Sequence, residues 1–252
     1  MMFVGLGICV VALAGAAEAM TPATPQDQQA AADHSQTVYV GTIALFPTMV
    51  ELPDDYDESE TYTLVVGLHG HGGRPIDFFE PPARLFREAG LIYAVPQGPY
   101  AYLPTNRIGY SWNLRDIDDR VAERGDDVTI RYILDVIESL RERYSVGEVY
   151  LMGFSQGGTF TYYTAIAHHD LFAGLATFGS RLNEERFSPQ ELAAANHLRA
   201  FVAGGTSDLG AQPVRARYLL TEAGFDVELY EFDGGHTITR AGMEEFIDWL
   251  KR

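Results

Sequence analysis

The sequence has one cysteine, Cys9, and one lysine, Lys251. Cys9 lies in the leading apolar run, so a chain trimmed of that run has no disulfide, no cysteine-ligated metal and no thiol nucleophile. A hydroxyl is then the natural nucleophile for any covalent chemistry. Basic residues are few: 18 Lys and Arg stand against 35 Asp and Glu, for a formal charge of −17. Removing residues 1–19 takes away one Glu and no base, which leaves −16. Such a surface repels phosphate backbones and anionic lipid, so nucleic-acid binding is excluded as a main role.

No Lys or Arg precedes the apolar run Phe3–Gly15, yet its 13 residues match the core of an export signal. It is shorter than the roughly 20 residues needed to span a bilayer. Ala17-Glu18-Ala19 then places small residues where a signal peptidase reads them, so cleavage is expected before Met20. A secreted or periplasmic protein with no stable membrane insertion of the mature chain follows as the expectation. Residue Ile8 before Cys9 argues against a lipid anchor. Residues 20–36 are polar and small with two prolines, and read as a flexible leader. Residues 37–252 read as one domain, because 46% hydrophobic content over this length suffices for one buried core.

Within that domain, apolar strand-like runs alternate with helical patterns. Strands are expected at Thr63–Leu68, Leu91–Val95, Val149–Met152, Leu175–Phe178, Ala200–Ala203 and Val227–Phe232. Helices are expected at Ile76–Ala89, Val128–Tyr144, Thr159–Ala167, Val214–Ala223 and Arg240–Lys251. Strands at Val38–Ala44 and Thr48–Leu52 would form an antiparallel edge. The alternation gives an α/β class, with a mostly parallel sheet and helices on both faces. Residues 96–125 are aromatic and irregular, and read as a surface excursion.

Gly153-Phe154-Ser155-Gln156-Gly157 follows the strand Val149–Met152 and precedes a helix. A serine on a sharp strand-to-helix turn needs glycines two residues away on either side, and the helix N-terminus aims N–H groups at the reaction centre. Ser155 is therefore the candidate nucleophile. Leu68-His69-Gly70-His71-Gly72-Gly73 follows an earlier strand and brings backbone N–H groups close without side-chain obstruction. The oxyanion donors are assigned to the N–H groups of Gln156 and His71, with Gly72 as the alternative to His71. His69 and His71 lack a nearby third ligand, so the pair does not read as a metal site.

A serine needs a base, and the base needs an orienting acid. His236 in Asp233-Gly234-Gly235-His236 lies beyond the strand Val227–Phe232, at the sheet edge that carries Ser155. His168-His169 sits at the far end of the elbow helix, and His197 in a polar stretch ahead of a strand. Asp208 follows the strand Ala200–Ala203 through Gly204-Gly205-Thr206-Ser207. Asp233 is too close in sequence to His236, and Asp170 precedes a strand and so lies at the wrong edge. Ser155, Asp208 and His236 form the expected triad, which needs neither metal nor organic cofactor to cleave a small-molecule ester.

LHGHGG, GFSQGG, the GTSD segment and the final GGH, taken together, resemble the phospholipase/carboxylesterase branch of the α/β-hydrolases. That branch includes acyl-protein thioesterases and bacterial predicted esterases. The sequence is also similar to polyester depolymerase and feruloyl esterase relatives. The resemblance covers about Thr61 to Arg252. It implies the same triad, the residue at His71 as second oxyanion donor, and Ser111-Trp112 in a segment lining the acyl side of the cleft, which makes Trp112 a substrate-binding candidate. The aromatics Tyr100, Tyr102, Tyr110 and Trp112 equally fit plain packing beneath a long loop. The 52 residues between Ser155 and Asp208 are used by core elements, so no large cap domain is expected.

Overall fold

Seven strands run in the order β1-β3-β2-β6-β7-β8-β9, and every neighbour pair but one is parallel. The computed structural model describes residues 44–103, 106–114, 117–208 and 212–252. The expected export signal, the leader and residues 38–43 of the first expected strand lie outside the described residues. Ala44 belongs to no strand.

In chain order the sheet strands are β1 (Thr48–Glu51), β2 (Tyr62–Leu68), β3 (Ile92–Pro96), β6 (Val146–Phe154), β7 (Gly174–Phe178), β8 (Arg199–Gly205) and β9 (Asp226–Phe232). The short strands β4 (Tyr100–Tyr102) and β5 (Gly109–Ser111) form a separate antiparallel hairpin. Strand β1 pairs antiparallel with β3, so the expected antiparallel edge is supplied by its second member. The helices are α1 (Pro75–Glu88), α2 (Asp119–Arg141), α3 (Gln156–Ala167), α4 (Pro189–Ala194), α5 (Gln212–Glu222) and α6 (Arg240–Leu250). Residues Ile43–Arg252 hold together as one unit.

Side chains alternate across a strand, and the core divides accordingly. Leu64, Val66 and Leu68 of β2 face one layer, with Ile133 and Ile137 of α2, Phe160 and Ile166 of α3 and Leu220 of α5. Val65 of β2 and Tyr93 of β3 face the other, with Phe86 of α1 and Phe246 and Trp249 of α6. Helix α3 has no polar stripe: nine of its 12 residues are buried, Phe160, Tyr162 and Ile166 among them. A helix apolar on all sides belongs inside a layer, between the sheet and other helices.

Two elements differ from expectation. Helix α2 begins at Asp119, well before Val128. Its first turns carry acids, arginines and Gly125 in place of an apolar stripe. What starts them is the cap: the Asp118 carboxylate accepts from the Arg120 N–H at 3.0 Å. The excursion also contains the β4–β5 hairpin, tied to this early part of α2 by Tyr100 Oη donating to the Gly125 carbonyl at 3.1 Å.

Phe246 is fully buried and its ring meets Phe86, Phe178, Phe201 and Trp249. Truncating such a side chain removes transfer energy and leaves a cavity. Phe246→Ala should destabilise the protein by about 3–5 kcal/mol in urea unfolding. A loss below about 1 kcal/mol would show that α6 is not part of the cooperative core.

Candidate active site

Strand β6 ends at Phe154 and helix α3 starts at Gln156, so Ser155 is the whole turn. Its φ of 53° and ψ of −119° make it the one positive-φ residue other than glycine among the described residues. Two contacts hold that strained geometry in place. Ser155 N–H donates to the Phe178 carbonyl at 2.9 Å, and the Ser155 carbonyl accepts from Thr159 N–H at 3.1 Å. A Cβ at Gly153 would lie 2.4 Å from the Gly157 carbonyl, and one at Gly157 would lie 2.1 Å from the Leu68 carbonyl oxygen. The elbow therefore packs backbone against backbone, which a side chain at either position would prevent.

Asp208 and His236 come from the turns after β8 and β9, at the same carboxyl edge of the sheet. Thr206 N–H donates to the Phe232 carbonyl at 2.9 Å and Ser207 N–H to the Gly234 carbonyl at 2.8 Å, so the two turns are stitched together. The three side chains meet in a row. His236 Nε2 lies 2.9 Å from Ser155 Oγ. His236 Nδ1 lies 2.9 Å and 3.0 Å from the two Asp208 carboxylate oxygens. The Asp208 side chain is only 2% exposed, against 36% for that of His236. The carboxylate is thus shielded from water while the imidazole edge remains reachable. The carboxylate on His236 Nδ1 is that of Asp208, while Asp170 lies against His169.

The His69–Gly73 turn passes beside the serine: a Cβ at Gly70 would stand 3.5 Å from Ser155 Cβ. Gly72 N–H donates to the Tyr110 carbonyl at 2.8 Å and Gly73 N–H to the Gly70 carbonyl at 3.0 Å. The N–H of Gly72, the alternative second donor, is thus engaged by the hairpin strand β5. The His71 ring packs on Tyr102 at 4.2 Å, and its Nδ1 lies 3.3 Å from Ser111 Oγ. The Gln156 N–H belongs to the first turn of α3, where a helix offers no acceptor of its own.

Trp112 does not line the cleft. Its side chain has no exposed surface, and its indole N–H donates to the His69 carbonyl at 2.7 Å. The expectation that Trp112 contacts substrate is replaced by a position behind the turn, because an indole N–H buried here needs an acceptor and finds it in that backbone. The Trp112 carbonyl in turn accepts from Thr129 Oγ1 of α2 at 2.8 Å.

Several contributors escape a reading of the sequence. The Gln156 side chain accepts from Trp112 N–H at 3.0 Å and donates to Asn113 Oδ1 at 2.5 Å, tying the elbow to the segment after β5. Gly179, with φ +56°, lets the chain pass close to Asp208 and His236; a Cβ there would be 2.7 Å from Asp208 Oδ2 and 3.0 Å from His236 Nδ1. Its place after a strand, on a par with Ser155, Asp208 and His236, is the one signal that could have found it.

His69 is almost fully buried, and its tautomer follows from its partners. Gly98 N–H donates to Nε2 at 3.1 Å, so the ring proton sits on Nδ1 and is donated to the Gly70 carbonyl at 2.8 Å. Burial pushes the imidazole down from 6.5 to about 4. A lowered value means that the unfolded chain binds the proton first. The stability it contributes is intact above pH 6.5 and is lost as the pH falls towards 4. From pH 7 to pH 4 the protein should lose about 3 kcal/mol more than a His69→Gln variant, read from denaturant midpoints. Parallel loss in both proteins would show that His69 does not carry the effect.

A groove of about 510 Å³ opens beside the imidazole, lined by Phe78, Pro82, Leu85, Phe154, Ile238 and Met243 among others. A second concavity of about 440 Å³, walled by Arg199, Asp226, Glu228 and Arg252, contains no nucleophile.

Solved structures share the architecture. Esterase PE8 superposes with a TM-score of 0.67 at 21% identity, over 82% of this chain and 99% of that one. The Bacillus cereus carboxylesterase gives 0.64 at 18%, over 82% and 94%. Zea mays acyl-protein thioesterase 2 gives 0.62 at 18%, over 81% and 97%. At such identities the likeness establishes the fold. No curated protein sequence matches the chain. The family described as Phospholipase/Carboxylesterase matches residues 56–252. With an esterase-like parallel sheet and most of its length matched, the chain belongs to the phospholipase/carboxylesterase family of the α/β-hydrolase superfamily.

Proposed function

We propose that the protein is a serine carboxylesterase acting on small or medium acyl esters. The observation that carries this reading is the continuous row Ser155 Oγ, His236 Nε2 and Nδ1, Asp208 carboxylate, each link within 3.0 Å. His236 Nε2 accepts the Ser155 proton as Oγ attacks the ester carbonyl carbon. Asp208 holds the tautomer with the proton on Nδ1 and stabilises the imidazolium that forms. The charge on the carbonyl oxygen is met by the N–H groups of Gln156 and His71, reinforced by the N-terminal end of α3. His236 returns the proton to the leaving alcohol, and an acyl group remains on Ser155. Water, deprotonated by the same imidazole, then releases the acid.

The groove beside His236 supports the substrate class. Its volume lies within the range of small-molecule sites, and its walls are mainly apolar, with Asp77, Thr237 and Arg240 among the polar residues that line it. Such a lining suits an uncharged acyl or alcohol group. Solved neighbours described as an esterase, a carboxylesterase and an acyl-protein thioesterase add support for acyl transfer to water.

Ser155→Ala, His236→Ala and Asp208→Asn should each lower kcat on p-nitrophenyl butyrate by about 10⁴-fold or more. The Ser155→Ala/His236→Ala double variant should be no slower than the worse single one, since the pair acts as a unit. A fluorophosphonate should label the native protein on Ser155. Label that persists in Ser155→Ala, or faster cleavage of peptide anilides than of matched esters, would sink the assignment.

We also read the protein as exported, from the apolar run at 3–15 and the Ala-Glu-Ala ahead of Met20. The mass of the protein recovered from its native host should correspond to a chain starting at Met20. Recovery in the cytoplasm with residues 1–19 retained would refute export.

A further inference from the structure

The sheet edge opposite Ser155 carries a second cluster of reactive side chains. His169 and Asp170 form a short 3₁₀ turn ahead of β7, and His197 stands two residues ahead of β8. The strands β7 and β8 are hydrogen-bonded neighbours, so both connections emerge side by side at the amino edge. Ligand atoms of the three residues all lie within 4.8 Å of one another. The backbone fixes the geometry: Phe172 N–H donates to the His169 carbonyl at 3.2 Å, and Leu198 N–H to the Ala195 carbonyl at 3.0 Å.

We propose that His169 Nδ1, the Asp170 carboxylate and His197 Nε2 bind a divalent transition cation of the zinc type, with water in the fourth position. Three observations converge on it. First, His169 Nδ1 is buried and has no hydrogen-bond partner, although Asp170 Oδ1 is only 3.2 Å away. Two atoms that share a tetrahedral ion with bonds of ~2.0 Å stand about 3.3 Å apart, which is the spacing seen.

Second, both nitrogens of His197 face carbonyl oxygens. Nδ1 lies 3.2 Å from the Ala194 oxygen and Nε2 lies 3.4 Å from the His169 oxygen. A neutral imidazole has one N–H to give. With that proton donated from Nδ1, Nε2 keeps its lone pair for an ion, and the ring turns Nε2 away from the His169 oxygen to take it. Donation of the other ring N–H to a backbone carbonyl is also how metal-binding histidines are normally oriented.

Third, two imidazoles and one carboxylate suit zinc and its neighbours, whereas calcium and magnesium prefer oxygen throughout. His197 is exposed and turns to close the remaining distance, and the net charge of −17 favours any cation. Bound there, the ion cross-links the connections entering β7 and β8. It stabilises the fold far from the reacting serine and takes no part in ester cleavage.

The test uses the purified full chain without a histidine tag, titrated with Co²⁺ and then Zn²⁺. One Co²⁺ per chain should bind with the visible absorption of a four-coordinate ion, and Zn²⁺ should displace it. Zn²⁺ at a hundredfold excess over its Kd should raise Tm by roughly 5–10 °C. His197→Ala, which alters an exposed side chain, should weaken binding at least tenfold and abolish the Tm rise, as should Asp170→Asn. His236→Gln should bind Co²⁺ like the unaltered chain. Absence of stoichiometric binding, or binding that survives His197→Ala or disappears in His236→Gln, would overturn the proposal.

Discussion

The register of four parallel strands is the constraint on which the site depends. Gly153 pairs with Thr177, Thr177 with Val202 and Ala203 with Tyr230. Because all of these strands point the same way, the turns that follow them open on one edge. Ser155, Gly179, Asp208 and His236 each sit in such a turn, so the row of Ser155, His236 and Asp208 is assembled by the sheet and not by any local sequence. A slip of one residue between β8 and β9 would turn every side chain over and carry His236 out of line with Asp208. The strained backbone at Ser155 is affordable only because both neighbours of the elbow are fixed by that register.

Much of this was legible from the sequence for a physical reason. Buried parallel strands must be apolar on both faces, so Leu64–Leu68 and Leu175–Phe178 announce themselves, and a serine at an elbow demands its flanking glycines. The early part of α2 was not legible, because residues 119–127 carry charge and a glycine where an apolar stripe would be. Its start is set by the Asp118 carboxylate, a contact that propensity does not weigh. Trp112 was misread for a different reason. An aromatic in an irregular stretch fits a cleft wall and a core equally well, and what decides is an acceptor on His69, 43 residues away.

Histidine illustrates how little residue type alone specifies. His236 keeps one edge open to solvent and the other against a buried carboxylate. His69, two residues before His71 in the same turn, is held neutral between two backbone groups and pushed down to about 4 by its burial. One imidazole bridges a serine hydroxyl and a carboxylate while the other acts as a rigid strut beneath the turn that passes the serine. The Trp112 indole closes that strut from behind, and Gln156 joins it to the elbow, so the His69–Gly73 turn and Ser155 rest on a shared polar scaffold.

Helix α3, which follows Ser155, has almost no surface of its own. Evolution of a new substrate range therefore has little purchase there, since any larger or more polar residue would collide with packed neighbours on every side. Variation is channelled to the periphery: the β4–β5 hairpin, the prolines of α1 and the first turn of α6. Changes that the fold tolerates therefore belong in the walls around Ser155, not in the helix behind it.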